Sequence, residues 1–224
     1  MGKLSRWLVP SSLLIASTMV LAFAVPLFLA ELMRIPGEPI LKKISEGQSV
    51  SDKELEVLEK ALQQSLAYQR KPSTYSELGA VHLVRAKLSK DTVERAASAN
   101  KALINLQASL SAQPFNAFAW HRLSAVNILL GETHYHDAVT AWRRSVEAAT
   151  FEPFLLNARI HTGIILYAFL SKSEQAMLRE QINFAYGWRR WDMFVYARDH
   201  GLLDWLILLG TENQSLVDYV NKYR

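Results

Sequence analysis

Two segments of this sequence have the side chains for recognition chemistry: Trp188-Arg189-Arg190-Trp191 and Trp142-Arg143-Arg144. A flat indole beside a guanidinium suits stacked sugars, lipid or sugar phosphates, and acidic helices of a partner protein. Trp188, Arg189, Arg190, Trp191, Arg143 and Arg144 are therefore the candidate binding residues. Packing is the competing use of the same side chains. On a helix, Trp142 faces a core and leaves Arg143 and Arg144 on the solvated flank. The spacing of three from Trp188 to Trp191 puts both rings on one face, against the last helices.

Catalytic and metal chemistry find less material. His134-Tyr135-His136-Asp137 is the closest grouping of histidines. Helical zinc sites place two His four apart, whereas this spacing is two and falls in an expected turn. Dinuclear hydrolases of the H-x-H-x-D-H kind need an Asp where Ala138 stands, so a solvated turn is the expectation. His82, His121, His161 and His200 are expected as separate, half-buried helix residues. With no Cys there is no thiolate metal site, disulfide or cysteine nucleophile. Phosphate-binding glycine loops, dinucleotide fingerprints and nucleophile elbows are missing too. The sequence reads as non-enzymatic, with no cofactor and no resident metal.

The elements that must position these residues follow from hydropathy. Residues 7–30 form 24 consecutive positions without a formal charge, and roughly 20 apolar residues span a hydrocarbon core. Pro10 and Pro26 lie near the ends of this run and leave its centre uninterrupted. Trp7 falls at the membrane–water boundary. One transmembrane anchor is the preferred reading. A cleaved signal peptide, with Lys3 and Arg6 before the run and Ala22-Phe23-Ala24 as the cut site, is the alternative; its apolar core normally holds about 7–15 residues. A short basic tail before a first span stays in the cytoplasm, which places the C-terminal bulk outside it, in the periplasm of a Gram-negative cell. The chain carries 25 Lys and Arg against 21 Asp and Glu, a balance that disfavours nucleic acid as a partner. With 50% hydrophobic and 21% charged residues, it is also too apolar to be disordered.

The organisation expected is a tail and anchor over 1–33, an extended Pro/Gly linker over 34–50, and a helical domain over 51–224. Ser51 and Glu54 have capping-box spacing, and Leu55, Leu58, Leu62 and Leu66 follow as one apolar face. Helical periodicity recurs near 74–88, 91–111, 116–131, 136–149, 154–170, 173–187 and 191–209, with a closing helix near 213–223. No convincing strand interrupts it. The fold class is all-α.

Trp120, Leu123, Gly131, Ala138, Trp142 and Pro153 occur in the order of a tetratricopeptide repeat, a helix–turn–helix unit of 34 residues in that family. The segment from Pro114 to Pro153 resembles one such repeat, somewhat lengthened. Degenerate neighbours run from Tyr75 to Pro114 and from Arg159 onward, where Gly163 takes the close-packing position. Ser124 stands where the family generally has Gly. The resemblance implies an antiparallel α-solenoid over about 73–190 that binds partner proteins. Residues 110–123 also look like small membrane-anchored bacterial proteins associated with cell-surface polysaccharide synthesis and export. That likeness implies a scaffold or adaptor of a cell-envelope complex at the inner membrane. The alternative is a carbohydrate- or phosphate-binding accessory domain that uses the Trp/Arg clusters.

Overall fold

The computed structural model describes residues 5–224, with side chains from Leu13 onward except Ile15. Lys3 lies outside the described residues, as do the side chains of Arg6, Trp7 and Pro10. Every regular element described is helical. In chain order they are α1 (Ser5–Arg34), α2 (Glu38–Ser45), α3 (Asp52–Tyr68), α4 (Pro72–Leu88), α5 (Thr92–Ala112), α6 (Ala117–Leu130), α7 (Tyr135–Ala148), α8 (Leu156–Ile165), α9 (Lys172–Asp199), α10 (Leu203–Leu209) and α11 (Gln214–Tyr223). The chain divides into two compact units, one through Val81 and one from His82 to Arg224.

In the first unit, α1 is long and apolar enough to cross a membrane. Its 30 residues rise about 45 Å at 1.5 Å each. Leu13, Leu14, Phe23 and Phe28 stay exposed along it, uncovered by protein. Its described hydroxyls turn inward: Ser17 donates to the Leu13 carbonyl at 2.7 Å and Thr18 to that of Leu14 at 2.8 Å. An apolar surrounding would therefore meet no unsatisfied donor at these positions.

The linker expected to be extended over 34–50 is largely helical instead. Ile35–Gly37 makes one tight turn and Glu38–Ser45 is α2. Pro36 and Pro39 each sit at the start of their element, where the missing N–H removes no intrahelical bond. Gly37 is buried, and a Cβ there would lie 2.7 Å from Leu58 Cδ1. Its bare backbone thus lets the chain close onto α3. Leu55, Leu58 and Leu62 are fully buried, as is Ala30 near the end of α1. Arg34 pairs with Glu77 at 2.8 Å and donates to Thr74 at 3.3 Å, while Lys71 pairs with Glu31. The capping box at Ser51 and Glu54 forms as the sequence indicates, and Lys43 reaches Glu54 at 2.6 Å. That ammonium, with the Ser51 amide and hydroxyl, holds the Glu54 carboxyl down at about 2.

In the second unit, neighbouring helices pack as antiparallel pairs, which the cross-links show directly. Ser124 donates to the Ala138 carbonyl and Ser145 to that of Ala117, both at 2.8 Å, so α6 and α7 run in opposite senses. Small hydroxyls bonded to the facing backbone let the two helices approach closely. Between α8 and α9, Gly163 meets Leu178 while Arg159 meets Gln181, again an opposed pair. A Cβ on Gly163 would lie 2.7 Å from Leu178 Cδ1 and 3.1 Å from Trp142 Cζ2.

Trp142 is fully buried, its indole donating to the Arg159 carbonyl at 2.9 Å. Arg159 is fully buried as well. Its guanidinium donates to Ser145 Oγ at 3.0 Å, to the Ala149 carbonyl at 2.8 Å and to the Ser145 carbonyl. Gln181 Oε1 also accepts from it, at 3.3 Å. The two carbonyls belong to the last turn of α7 and its cap, the negative end of a helix dipole. Burial lowers the Arg159 pKa to about 10, so the side chain stays charged at neutral pH.

Candidate binding groove

The groove forms where α9 bends. Ser171 and Glu174 start this helix with a second capping box. At Arg189 the backbone leaves the helical region, with φ −147° and ψ 69°. The bend turns Trp188 and Arg189 toward the segment that enters α8. Pro153, Phe154, Leu156 and Asn157 make one wall, and Ala185, Trp188, Arg189 and Asp192 make the other. The open volume is about 230 Å³. Phe154 is 87% exposed and Trp188 56% exposed. Phe151 braces the indole edge-to-face at 5.7 Å and meets Phe184 at 5.6 Å. Arg189 and Asp192 pair at 3.2 Å, so the charges at the groove neutralise each other while keeping spare donor and acceptor sites. A flat apolar face beside polar hydrogen-bonding groups can hold an aliphatic or aromatic side chain, or the apolar face of a sugar ring.

The six binding candidates do not converge on one place. Trp188 and Arg189 line the groove. Trp191 stacks on Phe194 at 5.7 Å with 25° between the rings, and approaches Tyr223 at 6.0 Å. Arg190 lies over the Tyr219 ring at 5.4 Å. Arg143 bonds Glu147 at 3.3 Å and Glu174 at 3.4 Å, and Arg144 bonds Glu147 at 3.3 Å. The break at Arg189 cancels the shared face implied by the Trp188–Trp191 spacing. The sequence reading missed Phe154 and Asn157, which line the groove, and Phe151, which braces its indole. A large apolar residue straight after a helix-ending Pro was the available signal, since such a side chain has no helix of its own to pack against. Phe115, after Pro114, repeats the pattern at 83% exposed.

Neither a family model nor a curated protein matches this sequence. The reading of the groove therefore rests on its own geometry.

The histidines are less separate than their spacing implies. His161 Nδ1 lies 3.1 Å from the Tyr196 hydroxyl, and the His161 and His200 rings are 5.2 Å apart. Tyr196 and His200 stack at 4.0 Å, and His200 Nδ1 donates to the Tyr196 carbonyl at 2.8 Å. Burial, then His200 and Lys87, push the His161 pKa down. Burial raises that of Tyr196. His134 and Asp137, 4.0 Å apart, lie at the turn into α7. No metal-binding group of three or more His, Asp or Glu occurs among the described residues.

Proposed function

We propose that this chain is a non-enzymatic, single-span scaffold of a bacterial cell envelope. In this reading α1 anchors it in the inner membrane and the second unit, a tetratricopeptide-like array of helix pairs, lies in the periplasm and grips a partner protein. A role beside polysaccharide synthesis or export is the setting that the sequence likeness implies. The observation that carries the binding function is the exposed Trp188–Phe154 pair set against the neutralised Arg189–Asp192 bridge. Two large rings held open to water by a rigid frame gain roughly 2 to 4 kcal/mol when a partner covers them. The bridge favours an uncharged anchor side chain over a strongly charged one. A second reading is favoured by Asn157, Arg189 and Asp192 together at the rim: hydrogen bonds to a sugar ring stacked on Trp188.

The test is recovery of partners from detergent-solubilised membranes with full-length chain. The W188A/F154A double variant should lose the stable partner and keep its helical circular dichroism. Equal recovery by both proteins removes the groove from the binding surface. A partner-free wild type whose tryptophan emission is quenched by envelope polysaccharide replaces the adaptor reading with the glycan one.

A further inference from the structure

A second cavity, separate from the Trp188 groove, opens over α6 between α5 and α7, with a volume of about 330 Å³. Trp120, Leu123 and Asn127 stand three and four residues apart on one face of α6 and make its floor. Leu103 and Gln107 of α5 form one wall, and Asp137 and Thr140 of α7 the other. His134 joins them from the turn before α7. Trp120 is pinned: its indole N–H donates to the Pro114 carbonyl at 2.7 Å, so the ring offers a ligand apolar surface and no donor. Asn127 is 4% exposed, and its amide makes no hydrogen bond to another described residue. Its polar end is not sealed in protein, so the surface it keeps opens into the cavity. A carboxamide has two N–H donors and an accepting oxygen, and folded chains leave few buried groups of this kind without partners. Gln107 and Thr140 are exposed and likewise make no side-chain hydrogen bond to the described residues. Asp137, 4.0 Å from His134 Nδ1, brings a carboxylate, while neither Lys nor Arg is among the lining residues.

We propose that this cavity binds an uncharged sugar, a pyranose ring laid against the Trp120 indole with its hydroxyls bonded to Asn127, Gln107 and Asp137. The ligand class follows from the lining. An apolar indole surface matches the C–H face of a sugar ring, and carboxamides, which donate and accept side by side, match neighbouring hydroxyls. The Asp137 carboxylate only accepts, a need that a hydroxyl meets and that a phosphate or a uronic acid opposes by like charge. At about 330 Å³ the space lies at the low end of small-molecule cavities, roughly 300 to 1,000 Å³. That size suits a single sugar or a short stretch of a glycan and excludes a folded partner. The site shares no lining residue with the Trp188 groove, so the proposal stands whether that groove grips a protein or a glycan.

The experiment uses the full chain in a phosphocholine detergent, since glycoside detergents carry sugar headgroups of their own. Glucose, galactose, mannose and N-acetylglucosamine are the neutral probes and glucuronate the anionic one, with the Trp120 indole and Asn127 amide signals in NMR as readout. Saturable millimolar binding of at least one neutral sugar is expected to shift both signals. Glucuronate should bind at least about fivefold more weakly than the best neutral probe, and D137N, which removes the charge and keeps the shape, should narrow that gap to about twofold. Q107A, an exposed change that leaves the core intact, should weaken binding about three- to tenfold, the worth of one hydrogen bond. N127L should abolish saturable binding, with its melting midpoint read alongside to separate lost binding from lost fold. W188A should leave the affinities within about twofold, which separates this site from the groove. No saturable shift with any neutral sugar, glucuronate bound as tightly as the neutral probes, binding that Q107A leaves unchanged, or binding that W188A removes would each overturn the proposal.

Discussion

Replacing Arg159 by Met removes a buried cation while roughly keeping its volume. The guanidinium has four acceptors: Ser145 Oγ, the Ser145 and Ala149 carbonyls, and Gln181. Met leaves them without their donor. A buried acceptor stripped of its partner costs about 1 to 3 kcal/mol, and a cation at a helix C-terminus contributes up to about 2 kcal/mol when partly buried. Against these losses stand relief of the charge's desolvation and the apolar contact of the thioether. The balance is about 3 kcal/mol of destabilisation. For a chain of this size each kcal/mol moves the midpoint by roughly 2 to 4 °C, so R159M should melt about 6 to 12 °C lower. R159K keeps the charge and loses the planar fork, and should fall about halfway between. Thermal circular dichroism of the full chain in detergent measures all three, with R144M as the exposed control. An R159M protein that unfolds at the wild-type temperature would refute the idea that this cation holds the end of α7.

Gly163→Ala places a methyl 2.7 Å from Leu178 and 3.1 Å from a Trp142 ring already fixed by its bond to Arg159. Overpacking should exceed the gain in helix propensity and destabilise by about 1 to 2 kcal/mol, read as a lower melting midpoint. Glu54, held near 2 in the folded state against an ordinary 4.5, contributes its full stabilisation above pH 4.5 and loses it as the pH falls toward 2. E54Q should flatten that part of the acid-unfolding curve monitored at 222 nm. W188A/F154A should weaken partner binding about thirtyfold without moving the melting midpoint, measured by affinity titration alongside melting.

What could be read from sequence was local or periodic. The Ser51 capping box needs only residues three apart, and it forms. The burial of Trp142 follows from its place in a stripe with Ala138 and Ser145, all fully buried here. The bend at Arg189 was legible in part: the periodicity is interrupted between the segments near 173–187 and 191–209, and Gly187, a poor helix former, stands two residues before it. Past the bend, aromatic packing of Trp191 and Phe194 against Tyr223 accompanies the new helix direction. The helix expected over 191–209 divides for a visible reason: Gly201 takes φ +68°, and the Leu202 amide bonds the Ala197 carbonyl at 2.7 Å. The His161–Tyr196–His200 grouping joins positions on different turns of two helices, which no spacing rule connects. The linker was misread because Pro and Gly were weighed as breakers, when two of the prolines open short helical turns and the glycine makes room for Leu58.

The seating of α1 on α3 leaves no slack between the apolar rod and the first unit. Ala30 and Gly37 are packed in, and Arg34 and Lys71 clamp the joint with charge. A rotation of the rod about its axis is thus delivered to that unit as torque. One alanine inserted ahead of Ala30 would misphase the seat by about 100°, the angular step of a helical residue. The register between rod and unit is mechanical, and it is written into the helix itself.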